Sequence, residues 1–201
     1  MIKLYGFLYS RASRAMWMLS ELGLEYEMEQ ITPYGEEIHQ EAYLKINPNG
    51  HVPALKDGDT VIWESMAINL YLAHKYGGDL QPANPEEWGQ TYNWGFWGMT
   101  EAEALLLQAL NHTRLLPEEK RDPAKHAEAA EKLKKPMGIL NNALAGKDYL
   151  LGSRFTVADL NLAAIFSWGK MSKVDFSACP HLDGWLGRCL DRPKYKALYA
   201  K

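Results

Sequence analysis

The 201-residue chain predicts a small α/β unit followed by an all-α domain, and three features carry that reading. Residues 2–76 alternate short apolar runs with amphipathic stretches in the order β-α-β-α-β-β-α. The punctuation Gly77-Gly78-Asp79-Leu80-Gln81-Pro82-Ala83-Asn84-Pro85 then breaks every period, and beyond it the pattern is helical almost throughout. The expected domains are residues 1–78 and 86–201. Short crossovers in the first favour a four-stranded mixed sheet covered by helices.

Residues 2–7 read as the first strand. Residues 13–22 place Met16, Leu19 and Leu22, with Ala12 and Ala15, on an apolar stripe, and Gly23 stops the helix. Residues 26–31 alternate apolar and polar side chains as a second strand does, and residues 40–44 form a short helix ended by Asn47-Pro48-Asn49-Gly50. Residues 52–56 and 60–63 flank Asp57-Gly58-Asp59, a hairpin signature, because glycine accepts the positive φ of a tight turn. Residues 65–76 follow as an amphipathic helix. The second domain reads as helices over 86–111, 123–145, 157–171 and 180–191, with a short helical tail after Pro193. Lys132-Leu133-Lys134-Lys135 reads as a solvated helix face.

Composition narrows the function classes. Lys and Arg number 22 against 25 Asp and Glu, a net charge of -3, so the broad positive field of a nucleic-acid binder is missing. With 47% hydrophobic residues the chain can bury a core, and with only Cys179 and Cys189 it has neither a disulfide framework nor a C-x-x-C pair. No apolar run approaches the roughly 18 residues of a membrane span, and residues 1–7 lack the pattern of a secretory leader. The expectation is a cytoplasmic, unanchored protein in a reducing compartment.

Three segments carry groups suited to chemistry. Ser10-Arg11-Ala12-Ser13-Arg14 lies where the first strand gives way to a helix, whose unpaired N–H groups and partial positive charge welcome an anion. Ser10 or Ser13 also fits as a simple N-cap, and local spacing alone favours that. In Asn47-Pro48-Asn49-Gly50-His51-Val52-Pro53-Ala54-Leu55, Pro53 precedes an apolar strand and therefore marks an edge or a special turn. A cis Val52-Pro53 bond, only about 0.5–1 kcal/mol above trans, leaves the Val52 backbone open to a ligand; an ordinary turn fits equally. In Trp63-Glu64-Ser65-Met66-Ala67-Ile68 a strand gives way to a helix. Ser65 and the helix N–H groups suit the carboxylate of an amino acid zwitterion and Glu64 its ammonium, although capping alone also explains the serine.

Those three stretches, the first extended by Glu21-Leu22-Gly23-Leu24 and the third by Tyr71-Leu72, resemble the glutathione transferases, and the likeness covers the whole chain. The nearest resemblance is to cytosolic, bacterial-like, serine-type members. It implies a thioredoxin-like N-terminal domain, an all-helical C-terminal domain, glutathione as a substrate, no metal, and a twofold homodimer. It further implies that Val52, before a cis Pro53, pairs with the cysteinyl backbone of glutathione. By the same likeness Glu64 and Ser65 hold the γ-glutamyl end, and His51 approaches the glycyl carboxylate. Ser10, counted back from Arg14-Ala15-Met16-Trp17, takes the position of the activating serine. Ser13 and Arg11 are the alternatives for stabilising the thiolate, and Tyr5 lies too early, inside the strand. A second substrate is expected between the domains against the helix with Trp94 and Trp97, which also holds Phe96, Met99 and Thr100; Glu101 or Glu103 could reach across a dimer. In Ser153-Arg154-Phe155-Thr156-Val157-Ala158-Asp159-Leu160, Thr156 and Asp159 resemble the family's helix cap and read as a structural capping box.

The chemistry so implied is thiol activation. Lowering a thiol pKa from about 8.5 by two units takes roughly 2.7 kcal/mol. One charge-assisted hydrogen bond supplies about 1.5–3 kcal/mol and a helix start about 0.3–1. On this arithmetic Ser10 and its helix suffice to prepare glutathione for small apolar electrophiles or organic hydroperoxides. A noncatalytic glutathione-binding or assembly module and a glutathione-dependent isomerase are the competing readings.

Overall fold

A computed structural model describes residues 1–32 and 35–200. The chain forms two units, Met1–Gln81 joined by the C-terminal helix, and Pro82–Arg192. Each is built around its own core.

In the first unit β1 (Ile2–Gly6) is central: it pairs in parallel with β2 (Tyr26–Gln30) and antiparallel with β3 (Ala54–Asp57), which pairs antiparallel with β4 (Thr60–Trp63). The order is β2-β1-β3-β4, with Leu4 facing Met28 on one side and Leu55 on the other. The third strand starts at Ala54 rather than Val52, because Pro53 has no N–H to give the ladder. Helix α1 (Ala12–Glu21) connects the parallel pair. Gly23, at φ 66, ends it: Leu24 N–H reaches Leu19 O and Gly23 N–H reaches Ser20 O, the paired bonds that close a helix through a left-handed residue. A 3-10 turn (Glu36–His39) and the short α2 (Glu41–Leu44) lead to the hairpin, and α3 spans Ser65–Tyr76.

Two differences from the sequence pattern concern this unit. The buried face of α1 is wider than the expected stripe, taking in Arg14, Trp17 and Met18, whereas Met16 and Leu22 are only half-buried. Arg14 packs against α3, and Trp17 is covered by the tail. Pro193–Tyr199, expected in the helical domain 86–201, packs on α1 instead, with the Tyr195 ring 4.7 Å from Trp17 in an edge-on contact. Apolar burial over Trp17 outweighs chain continuity.

The second unit is helical. The expected helix 86–111 is α4 (Pro85–Trp97), a π-helical turn (Gly98–Ala102), α5 (Glu103–Leu110) and a second π-helical turn (Asn111–Leu115). The first π turn falls at Gly98, where a Cβ would lie 2.6 Å from Leu162 Cδ1. Backbone packed that closely on a neighbouring helix leaves no room for a side chain. Next come α6 (Pro123–Ala143), α7 (Val157–Met171), α8 (Pro180–Leu190) and, returning to the first unit, α9 (Pro193–Tyr199). The core centres on α7, whose Leu160, Ile165 and Phe166 are buried together with Leu106, Leu133, Leu140 and Trp185. Thr156 and Asp159 form the expected capping box. The Asp159 carboxylate accepts from Thr156 N, Thr156 Oγ1, Leu150 N and Trp185 Nε1 at 2.8–3.2 Å. Burial pushes this carboxyl up despite those four donors.

Candidate active site

Gly6, the last residue of β1, sits at φ 143, and the chain crowds around it. A Cβ there would meet Ala12 Cβ at 2.6 Å, Val52 Cβ at 3.5 Å and Ser10 Oγ at 3.7 Å. Only glycine therefore lets the start of α1 and the Val52 segment close on the strand end. That convergence brings Ser10 and Val52, 42 residues apart in sequence, to one spot.

Ser10 is half-buried, and its hydroxyl donates to Phe7 O at 2.7 Å while accepting from Ala12 N–H at 3.1 Å. The residue thus caps the opening turn, as local spacing favoured. The Ser13 hydroxyl donates to Ser10 O at 2.9 Å and stays on its own turn. Arg11 stands between them, half-buried at the head of α1. Tyr5 is buried in the sheet core with its ring 6.0 Å from Tyr43, away from the opening turn as expected.

The Val52-Pro53 bond is cis. The peptide before it is held from behind: His51 O accepts from Tyr43 Oη at 2.6 Å and Asn47 Nδ2 at 2.7 Å. Burial pushes the Tyr43 phenol up to about 12, so it remains a donor across the neutral range. The His51 side chain is exposed. The Val52 N–H and C=O find no hydrogen-bond partner among the described residues, so this backbone edge is free to pair with an extended ligand.

At the far side of the hairpin Glu64 sits at φ 74, ψ 116, with its side chain exposed. A non-glycine residue held there costs of order 1–3 kcal/mol and marks a place where the surrounding fold dictates conformation. Ser65, the first residue of α3, is buried, and its Oγ accepts from Arg14 Nη1 at 3.3 Å. Arg14 is 1% exposed, and its carbonyl accepts from Asn69 Nδ2 at 3.2 Å. A buried cation therefore stands behind a hydroxyl at a helix N-terminus, and all three favour an anion in front of Ser65.

Arg14 and Asn69 were not among the residues singled out from sequence. The signal was present: Arg14 interrupts the apolar face of α1, and Asn69 stands one turn beyond Ser65 between Ile68 and Leu72. Both read as ordinary helix positions until the two helices pack.

In the second unit Trp94 and Trp97 are half-buried and meet edge to face at 5.2 Å, with Trp97 stacked 6.4 Å from Phe166. Glu101 is exposed and Glu103 is buried. Cys179 and Cys189 are both buried, and burial pushes each thiol up, so neither is a ready thiolate.

The chain joins a mixed four-stranded sheet, a cis proline ahead of β3 and a buried Ser65 backed by Arg14 to a helical unit, and comparison with known proteins gives the class. Residues 1–74 match the family described as Glutathione S-transferase, N-terminal domain, and residues 102–193 match Glutathione S-transferase, C-terminal domain. The chain belongs to the glutathione S-transferase family. It is 34% identical to Glutathione S-transferase 3 of Zea mays, covering 99% of this chain and 93% of that one. It is also 34% identical to Glutathione S-transferase D7 of Drosophila melanogaster, over 92% and 82%. Among solved structures, the theta class enzyme of Xanthomonas axonopodis pv. citri, with glutathione bound, superposes with a TM-score of 0.89 at 32% identity, covering 98% of this chain and 95% of that one.

Proposed function

We propose that the first unit binds glutathione along Val52, Glu64 and Ser65 and ionises its thiol beside Ser10 for attack on small apolar electrophiles. The observation that carries this reading is the anion site at α3: a strained Glu64, a buried Ser65 and the Arg14 charge behind it. The γ-glutamyl carboxylate accepts from Ser65 and the first N–H groups of α3, and its ammonium meets Glu64. The cysteinyl peptide pairs with the open Val52 backbone as an added strand, and His51 lies toward the glycyl carboxylate.

The thiol then lies near the start of α1. The Ser10 hydroxyl must turn from Phe7 O to the sulfur, giving up a bond of about 1 kcal/mol for a charge-assisted one of about 1.5–3. The net gain, with about 0.3–1 kcal/mol from the helix start, falls short of the roughly 2.7 kcal/mol that a two-unit shift needs at most of this range. Over most of that range Ser10 and the helix need help, and the Arg11 charge supplies the remainder.

The thiolate attacks the electrophilic carbon, the carbon–sulfur bond forms, and the leaving group departs with its electron pair. With an organic hydroperoxide the thiolate takes the outer oxygen as a sulfenic acid and releases an alcohol; a second glutathione then gives the disulfide and water. Trp94 and Trp97 offer an aromatic surface suited to apolar acceptors. The protein acts as a homodimer in detoxification within a reducing, cytoplasmic setting.

The test is ultraviolet difference absorbance of the thiolate as glutathione is titrated from pH 5 to 9. Wild type is expected to show the bound thiol ionising below pH 7.5, Ser10→Ala about one unit or more higher, and Arg11→Ala higher by a smaller step. An unshifted thiol in wild type overturns the activation mechanism, and failure of glutathione to bind favours a noncatalytic assembly module.

A further inference from the structure

We infer that Tyr43 and Asn47 are positioning residues that polarise and aim the Val52 N–H at the cysteinyl carbonyl of glutathione, an inference that rests on the pairing with Val52 proposed above. His51 C=O and Val52 N–H are the two ends of one peptide group, so whatever binds the oxygen acts on the N–H. The oxygen accepts twice, from Tyr43 Oη at 2.6 Å and from Asn47 Nδ2 at 2.7 Å. The N–H at the other end has no acceptor among the described residues.

That imbalance goes beyond what burial requires. One partner satisfies a buried carbonyl, whereas here two short bonds, one from α2 and one from the turn closed by Gly50 N–H on Asn47 O, fill both lone pairs. Linked hydrogen bonds strengthen one another by about 10–30% per bond, so density drawn toward His51 O leaves the Val52 N–H a stronger donor.

Both donors are fixed before a ligand arrives. Tyr43 and Asn47 are buried, and the Tyr43 ring packs in one cluster with Tyr5, Ile31 and the Val52 side chain. Asn47 Oδ1 accepts from Asn49 N at 3.1 Å and from Asn49 Nδ2 at 3.0 Å, which turns Asn47 Nδ2 toward His51 O. The peptide is gripped at its oxygen and, through the Val52 side chain, at its far end. Its N–H direction is therefore set in advance, which lowers the ordering cost of binding.

The test follows the Val52 amide proton by NMR and glutathione binding by calorimetry in wild type, in Tyr43→Phe, and in protein with Tyr43 replaced by a tyrosine fluorinated beside its hydroxyl. Tyr43→Phe keeps the ring in its cluster and leaves Asn47 on the carbonyl; the fluorinated phenol is more acidic and so a stronger donor. Because burial pushes the Tyr43 phenol up to about 12, the fluorinated form also keeps its proton at neutral pH. Without ligand, the Val52 proton is expected to move upfield in Tyr43→Phe and downfield in the fluorinated protein. Glutathione affinity should fall about three- to tenfold in the first and rise in the second, with KM following and kcat changing less than twofold. A Val52 proton indifferent to both replacements, or affinities that do not follow donor strength, overturns the inference. In wild type, glutathione should move the Val52 proton further downfield. Binding without that movement overturns the pairing and the inference with it, whereas unordered affinities alongside the movement overturn the inference alone.

Discussion

Arg14 on α1 donates to Ser65 Oγ at the first residue of α3, a 3.3 Å contact between buried groups that ties together the two helices whose N-termini bear the candidate site. The contact orients the serine hydroxyl as an acceptor from behind, leaving its own proton for a ligand in front.

Arg14 is therefore expected to act as a positioning residue for substrate carboxylate. Arg14→Lys keeps the charge but loses the fork, and should raise KM for glutathione about tenfold with kcat changed less than twofold. Steady-state kinetics with glutathione varied make the check, and an equal loss in kcat would point to a general loss of structure.

Asp57 is the acid-sensitive joint of the first unit. Burial alone would raise its carboxyl, but Lys75, Tyr76 and Tyr71, all donating to Oδ2 at 2.7–2.8 Å, outweigh this and hold it below the ordinary range. A depressed folded value means the stabilisation is complete above about pH 4, the unfolded value, and is lost as pH falls through the folded one. Urea unfolding of wild type and Asp57→Asn should differ by about 1–2 kcal/mol at pH 7 and converge toward pH 2. A constant gap across that range would show that the charge is not the source.

The capping box of α7 should give a graded pair. Thr156→Ala removes the cap and one of the four donors to Asp159 and is expected to cost about 1–2 kcal/mol. Asp159→Ala strands four donors, including the Trp185 indole, and is expected to cost about 3–5 kcal/mol. Chemical denaturation followed by Trp fluorescence measures both, and equal costs would assign the effect to the helix end rather than to the network.

The outer face of α4 carries Tyr92 at 45% exposure and Phe96 at 70%, with Trp88 5.6 Å from the Tyr92 ring. Aromatic side chains one turn apart in solvent suit a self-association surface. Phe96→Glu should shift the protein to monomer in sedimentation at micromolar concentration. A wild type that is already monomeric there would remove the dimer from the proposed function.

Much of this was written in local chemistry. The bounds of α3 follow from Ser65 and the apolar period that starts there; the β3-β4 hairpin follows from Gly58; the α7 cap follows from Thr156 and Asp159 three residues later. The segments around Ser10, Val52 and Glu64 could each be picked out as two helix starts and a pre-strand proline, although capping or an ordinary turn explained each one locally. What escaped depends on partners remote in sequence. The break at Gly98 reflects Leu162 and Ile165 on another helix, the role of Arg14 needs Ser65 51 residues away, and the docking of the tail needs Trp17. Helical periodicity cannot report any of these, since the local pattern is the same with or without the neighbour.

The return of α9 to Trp17 also orders events during synthesis. Trp17, 1% exposed in the folded chain, is made well over a hundred residues before Tyr195, which covers it. On the ribosome, the amino-terminal unit keeps an open aromatic patch until the segment that carries Tyr195 has been made. A chain stopped before Pro193 leaves that patch bare in the unit that carries the candidate site.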